Sequence, residues 1–497
     1  MSDAPAADLA ASSVSVRGPS RLWPDIVLAA VVVAFAYLSA SFTARNSDLW
    51  MHLAAGRLLA AGDYPFGTDP FAYTTDGVRW ANHDWLTEWA MYMAYLALGG
   101  AGLVALKAGV AALTVGVMLA ASRGPGPFWV SAGVILLAAL AMTPRLLLQP
   151  ACVSLLLLAL TLFLYRKGGR AHPAIPILIA AWGNLNEWYA LGPLFVGLGV
   201  VGGWLSRSAP DEPRPRWWLL PACLAACFVT PYHVHGLTLP AELSSAVWTS
   251  AFPDDPRFAG AFASPWRLGP LGAAGGYNLA AWGFWALLGL GLASFAVNRR
   301  AAIGWRGTVW LGFAALACWQ VRLVPFFAVA AGPITALNLT ESLPAVALVR
   351  SGRFAVGGLG LALVALTWPG WLQGFAARDR GLAWAAAPDP GLERAARSLN
   401  SRRKDGSLPP ASRVLVTHPD LAHHVVWFCP GERVFVDSRL TLFTGVAAEY
   451  AAASRSVGLL PSAGKSAPEA GLASAGPFAT GGAVCVILYD PDPRRLA

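Results

Sequence analysis

The stretch PAIPILIAAWGNLNEWYALGPLFVGLGVVGGWL, residues 173 to 205, is apolar at both ends and polar in the middle. A helix crosses a bilayer in about 20 mainly apolar residues, so this run is too long for one crossing. We read it as two membrane segments meeting at GNLNEWY, residues 183 to 189, because broken helices are tolerated at depth only where they line a cavity or pack on protein. The same length criterion marks runs near 24–43, 89–121, 127–144, 146–165, 217–230, 279–297, 305–320, 323–340 and 354–372. The expected fold is a polytopic α-helical membrane protein of about ten or eleven transmembrane segments, with a small C-terminal extracytoplasmic α/β domain.

Counting the interrupted run as two crossings places five basic groups on one face: Arg123; Arg166, Lys167 and Arg170; Arg207, Arg214 and Arg216; Arg299, Arg300 and Arg306; Arg350 and Arg353. Basic short loops stay cytoplasmic, so a tail over 1–22 is expected inside. Residues 44–88, 231–278 and everything after about 373 are then expected outside. Arg17 and Arg21 precede the first run and Ser39 to Ser41 close it, but it is longer than a signal-peptide core and reads as an uncleaved anchor. Composition agrees: 56% of the 497 residues are hydrophobic and 13% charged, against roughly a quarter charged in soluble domains. The net charge of +9 is scattered between apolar runs, which argues against a nucleic-acid partner.

The transmembrane domain is expected over 23–372 and the tail domain, with its connector, over 373–497. The tail reads strand 413–417, helix 419–428, strand 433–437 and strand 483–489, a pattern for parallel strands with crossovers. The segment 374–412 reads as connector, and 455–481 is rich in Ala, Gly, Ser and Pro. None of the six cysteines has metal spacing; Cys429 and Cys485 alone are placed to pair outside the membrane.

The first outer loop carries Asp48, Asp63, Asp69, Asp76, Asp84 and Glu88 against Arg45, Arg57 and Arg79. Its start, NSDLWMHLAAGRLL (46–59), suggests a short helix along the interface with Trp50 at headgroup depth. Asp48 and His52, four apart, share a face of that helix. A carboxylate there can deprotonate a hydroxyl; the alternative is that Asp48 caps the helix and His52 is packed. In WANHDWLTEW (80–89), Asn82, His83, Asp84 and Glu88 return to the same surface, while Trp80, Trp85 and Trp89 read equally as interfacial anchors. Arg145 and Arg322 end apolar runs on the outer side, where a guanidinium either snorkels or grips a phosphate. Asp437 and Arg439 read as a salt bridge closing the tail domain.

These residues resemble a known pattern. NSDLWMHLAAG, GTDPFAYTTDG and HDWLTEW are similar to the D-x-D-x-W-x-H-L-x-x-G, D-P-F-x-x-T and H-E-W-L-x-E segments of bacterial GT-C (C-type) glycosyltransferases. TPRLLLQP, WGNLN, VRLVPFF and ERVFVDSRL extend the likeness loosely along the chain. The resemblance implies a transferase of the bacterial cytoplasmic membrane. It would take a sugar from a polyprenyl-phosphate carrier, among membrane lipids, to a glycan, lipid or protein acceptor outside. It maps the catalytic roles onto Asp48, His52 and Asp84, with Asp48 as base. Substrate-binding roles fall on His83, Glu88, Arg145, Asn184, Asn186 and Arg322, and Asp48 is the candidate ligand for a divalent cation, Mg or Mn. The chain departs from the pattern at Asn46, where the first acid stands, at Asp84 in place of Glu, and at NLNEW. A transporter of lipid-linked material or a non-catalytic scaffold are the competing readings; the transporter predicts paired breaks in two halves, and only one break is evident.

Overall fold

The computed structural model describes residues 22–206, 216–268, 277–342, 351–373, 380–410, 412–416, 418–456 and 484–487. The expected cytoplasmic tail up to residue 21, Arg207, Arg214, Arg350 and nearly all of the 455–481 run lie outside them. The helices of the first part are α1 (Leu22–Ser39), α2 (Asp48–Ala61), α3 (Trp85–Ala121), α4 (Phe128–Met142), α5 (Ala151–Lys167) and α6 (Ala174–Trp182). They are followed by α7 (Leu191–Leu205), α8 (Leu219–Ala226), α9 (Leu279–Val297), α10 (Trp305–Trp319), α11 (Val324–Ser342) and α12 (Ser351–Thr367). The tail contributes α13 (Pro390–Lys404), β1 (Arg413–Val416), α14 (Pro419–Phe428), α15 (Ala447–Ser456) and β2 (Val484–Ile487).

Five helical stretches are long and apolar enough to cross a membrane: Trp85–Ala121, Phe128–Arg145, Glu187–Leu205, Leu279–Val297 and Val321–Ser342. The protein is therefore a membrane protein, but among the described residues fewer helices reach spanning length than the apolar runs suggest. The reason is local. Pro150 delays α5 until Ala151, the polar break ends α6 at Trp182, and only Leu219–Ala226 of the 217–230 run is α-helical. Helix α11 is buried along its whole apolar window and packs on α4, α9 and α10, so it forms the centre of the bundle.

Helix α3 bends at Gly99, whose φ of 65° lies in the left-handed region that only glycine enters without strain. Its N-terminal arm lies against α2. At the crossing, a Cβ on Gly56 would stand 2.2 Å from the Glu88 carbonyl oxygen, so the backbones touch there and nothing but glycine fits. Gly56→Ala is expected to push the two helices apart at a cost of about 1–3 kcal/mol, read as a fall in Tm.

Trp50 is packed inside the protein rather than exposed as an interfacial side chain would be. It is 3% exposed, and its ring centroid lies 6.0 Å from that of Trp427 and 5.6 Å from that of Phe428 on α14. One apolar cluster in fact joins loop and tail: Met51, Tyr64 and Phe71 pack with Val414, Leu421 and Phe435. Strands β1 and β2 pair in parallel, with Val414 opposite Cys485. The expected strand at 433–437 does not enter that sheet. Its Val434 bridges Ala72 of the outer loop instead, with Val434 N donating to Phe71 O (2.9 Å) and Tyr73 N to Val434 O (3.1 Å). The loop supplies the pairing partner for this segment. Cys429 is a free, buried thiol.

Candidate functional site

Helix α2 starts at Asp48, and the residue at its N-cap, Ser47, makes no capping bond. Asp48 does not cap the helix either: one carboxylate oxygen accepts from Asn46 Nδ2 (2.7 Å) and the other from Gln149 Nε2. Asn46 also donates to Leu148 O (2.9 Å), so its amide holds Asp48 to the outer end of α5. An acid at position 46 would offer no such donor. The departure from the family pattern thus has a local physical account.

One turn on, His52 Nδ1 meets Glu88 Oε1 at 2.8 Å, and Asn82 Nδ2 donates to Glu88 Oε2 (2.6 Å) and to the Tyr64 hydroxyl (2.8 Å). Burial alone would lower the His52 pKa; the hydrogen bond and charge of Glu88, helped by Asp48 and Asp84, reverse this and raise it to about 9. Asp84 accepts from Asn186 Nδ2 (2.8 Å) and Glu187 N (3.3 Å), and burial pushes its carboxyl up to about 6. His52, Asp84 and Glu88 bring three ligand atoms within 4.8 Å of one another, close enough for one cation to span. Asp48 stands outside that group.

The polar break does line a cavity: Asn186, Glu187 and Trp188 face it, and Asn186 reaches back to Asp84. Asn184 does not face it. Its amide donates to Ala180 O and Val229 O and its carbonyl accepts from Trp85 Nε1, which ties the break to its neighbours. His83 does face it, held by Gly183 O at 2.8 Å and the Thr238 hydroxyl at 3.0 Å, and burial lowers its pKa.

The cavity encloses about 790 Å³ between the transmembrane helices and the tail. Asp48, His52, His83, Asp84, Glu88 and Asn186 line it, together with Arg145 and Arg322. Arg322 is paired with Glu242, a residue 2% exposed that the sequence reading missed. Arg145 has no ion-pair or hydrogen-bond partner among the described residues. Asp437 and Arg439 form an ion pair at 2.5 Å, but Arg439 also holds Asp69 of the outer loop at 2.8 Å and lies 4.3 Å over Trp80. The bridge therefore fastens the tail to the loop. Reasoning from sequence also missed Gln149, Asp420, His423 and His424, all on the cavity wall; the only signal was the density of polar groups in THPDLAHH (417–424).

No family model matches the sequence, and no curated protein does. Solved structures do match in fold. The archaeal oligosaccharyltransferase AglB from Archaeoglobus fulgidus, in complex with an inhibitory peptide and a dolichol-phosphate, superposes with a TM-score of 0.52 at 12% identity, covering 84% of this chain and 65% of that one. The apo form of the Archaeoglobus fulgidus oligosaccharyltransferase gives 0.50 at 14% identity, covering 84% and 64%. The chain thus spans just under two thirds of the length of these proteins, and its fold is similar to that of archaeal oligosaccharyltransferases.

Proposed function

We propose that this protein is an integral-membrane glycosyltransferase that moves a sugar from a polyprenyl-phosphate carrier to an acceptor on the extracytoplasmic face of a bacterial cytoplasmic membrane. One observation carries the reading: a single cavity holds an oriented carboxylate, Asp48, an acidic cluster, and an unpaired arginine, Arg145. In a neighbour of the same fold, the chain binds a dolichol-phosphate, which is the kind of anion that Arg145 and Arg322 suit. The single break at 183–186 is occupied in supporting this cavity, so nothing favours the transporter reading.

Asp48 takes the hydrogen bond, and then the proton, of the acceptor hydroxyl; both its oxygens keep a lone pair beyond those used by Asn46 and Gln149. Arg145 and Arg322 hold the phosphate that leaves, where developing negative charge is stabilised by donors already in place. His52, Asp84 and Glu88 fit a divalent cation by donor type and spacing. Such an ion would polarise a phosphate oxygen. The N-terminal tail 1–22 is cytoplasmic and the tail domain 373–497 extracytoplasmic in this scheme.

The test is transfer of labelled sugar from a panel of polyprenyl-phosphate and polyprenyl-diphosphate donors by the purified protein in nanodiscs, with and without a chelator. Release of the lipid phosphate is expected; an intact donor under every condition sinks the reading. A charge-assisted hydrogen bond contributes about 1.5–3 kcal/mol. Arg145→Ala is accordingly expected to raise the donor KM by about tenfold or more with a smaller change in kcat. An unchanged donor KM removes Arg145 from the phosphate site.

A further inference from the structure

The side of the cavity facing Asp48 belongs to the tail, and the directions of its hydrogen bonds can be assigned. Asp420 is a carboxylate and only accepts, so Ser47 Oγ donates to its Oδ1 (2.5 Å). Ser47 Oγ then accepts from His423 Nδ1 (3.1 Å), which leaves His423 Nε2 to accept from Ser438 Oγ (2.9 Å). Burial lowers the His423 pKa, consistent with the neutral ring this requires. Ser438, exposed to the cavity, has spent its only hydrogen on His423 and shows the ligand nothing but lone pairs.

The next residue points the same way. His424 Nδ1 donates to the Asp420 carbonyl (2.7 Å), so Nε2 carries a lone pair. The residue is 1% exposed and lies on the cavity wall, and its buried Nε2 has no hydrogen-bond partner among the described residues. An orphaned buried acceptor costs about 1–3 kcal/mol and calls for a donor.

We infer that this wall is the acceptor subsite and that the acceptor is a neutral glycan, whose neighbouring hydroxyls donate to Ser438 and His424 while another meets Asp48. The inference rests on the glycosyltransferase reading and names its acceptor class. Ser438 Oγ and His424 Nε2 are uncharged, so they match O–H donors; an ammonium would call for a carboxylate in their place, and a phosphate would meet lone pairs. The cavity wall also includes Trp80, a half-buried indole of the kind on which a sugar ring packs.

Binding tests this without requiring catalysis. The intact protein is titrated calorimetrically with neutral manno-, gluco- and galacto-oligosaccharides, a lysine-rich peptide and a glycerol-phosphate polymer. Saturable binding of a neutral oligosaccharide is expected, weakened about tenfold in Ser438→Ala and in His424→Phe. Ser438 is exposed, and its truncation removes one hydrogen bond, to His423, so a melting scan of the variant accompanies the titration. Binding confined to the peptide or the polymer overturns the inference, and so does oligosaccharide binding that neither substitution weakens. Oligosaccharide bound as expected with no donor consumed leaves this subsite standing and sinks the transferase reading instead.

Discussion

Asp48→Asn is expected to lower sugar transfer by about 10² to 10⁴-fold, the usual worth of a positioned general base. The substitution removes the charge, and it does more. Both oxygens of Asp48 face amide donors, Asn46 Nδ2 and Gln149 Nε2, so an amide at 48 sets one N–H group against another. The side chain must turn or one neighbour must move, and the geometry of the hydroxyl site is lost with the charge. Asp48→Glu keeps the charge but displaces it by one methylene, so it is expected to retain more activity than the amide. Stability should fall by only about 1 kcal/mol in Asp48→Asn, so a cooperative melting transition shifted by no more than a few degrees, with transfer lost, separates chemistry from folding. Transfer within about threefold of the parent would remove Asp48 from the reaction and return it to a role in tying α2 to α5.

The largest effect on stability is expected at Arg439. Its partners Asp69 and Asp437 have fully buried side chains, and each comes from a different part of the chain. Arg439→Met leaves two buried carboxylates facing each other, and breaking a buried pair by removing one member costs about 3–5 kcal/mol. The loss should appear as release of the tail from the loop, read as faster proteolysis between them together with a lower Tm. Adding Asp69→Asn and Asp437→Asn to Arg439→Met should recover part of it, because no buried charge then remains. If the triple substitution is no more stable than the single one, packing of Arg439 on Trp80 outweighs its charge. Acid should act in the same direction. Burial would raise the Asp437 carboxyl, but the Arg439 charge and hydrogen bonds, with His423, hold it below the usual aspartate range. Its contribution is therefore complete above the unfolded value of about 3.9 and is lost as pH falls through and below it.

What could be read from the sequence was local. Apolar runs announced a membrane protein, and the polar residues of GNLNEWY announced a break that would line a cavity, because both signals rest on the cost of burying polar backbone in hydrocarbon. Asp48, His52, His83, Asp84, Glu88, Arg145, Asn186 and Arg322 prove to line that cavity, whereas Asn184 braces the break from behind. The partnerships were not legible. Ser47 meets Asp420, Asp69 meets Arg439 and Arg322 meets Glu242 across long stretches of chain, and no spacing rule encodes such a match. The segment 433–437 illustrates the limit: its alternation marked an extended chain, but the edge it would use belonged to residues 71–73. Apolar runs and spanning helices are not the same count, since hydropathy takes no notice of where proline and asparagine stop a helix.

The shared core of loop and tail also sets an order of events during biogenesis. Tyr64 and Phe71 leave the ribosome early, while the residues that cover them, Val414, Leu421 and Phe435, are made near the end of synthesis. Until the tail has been made, the loop is a nascent segment with uncovered apolar side chains, the kind of surface on which chaperones act. The wall carrying His424 and Ser438 is also missing at that stage. The chamber closes last, so a chain stalled before its C-terminus would sit in the membrane with one side of its cavity open.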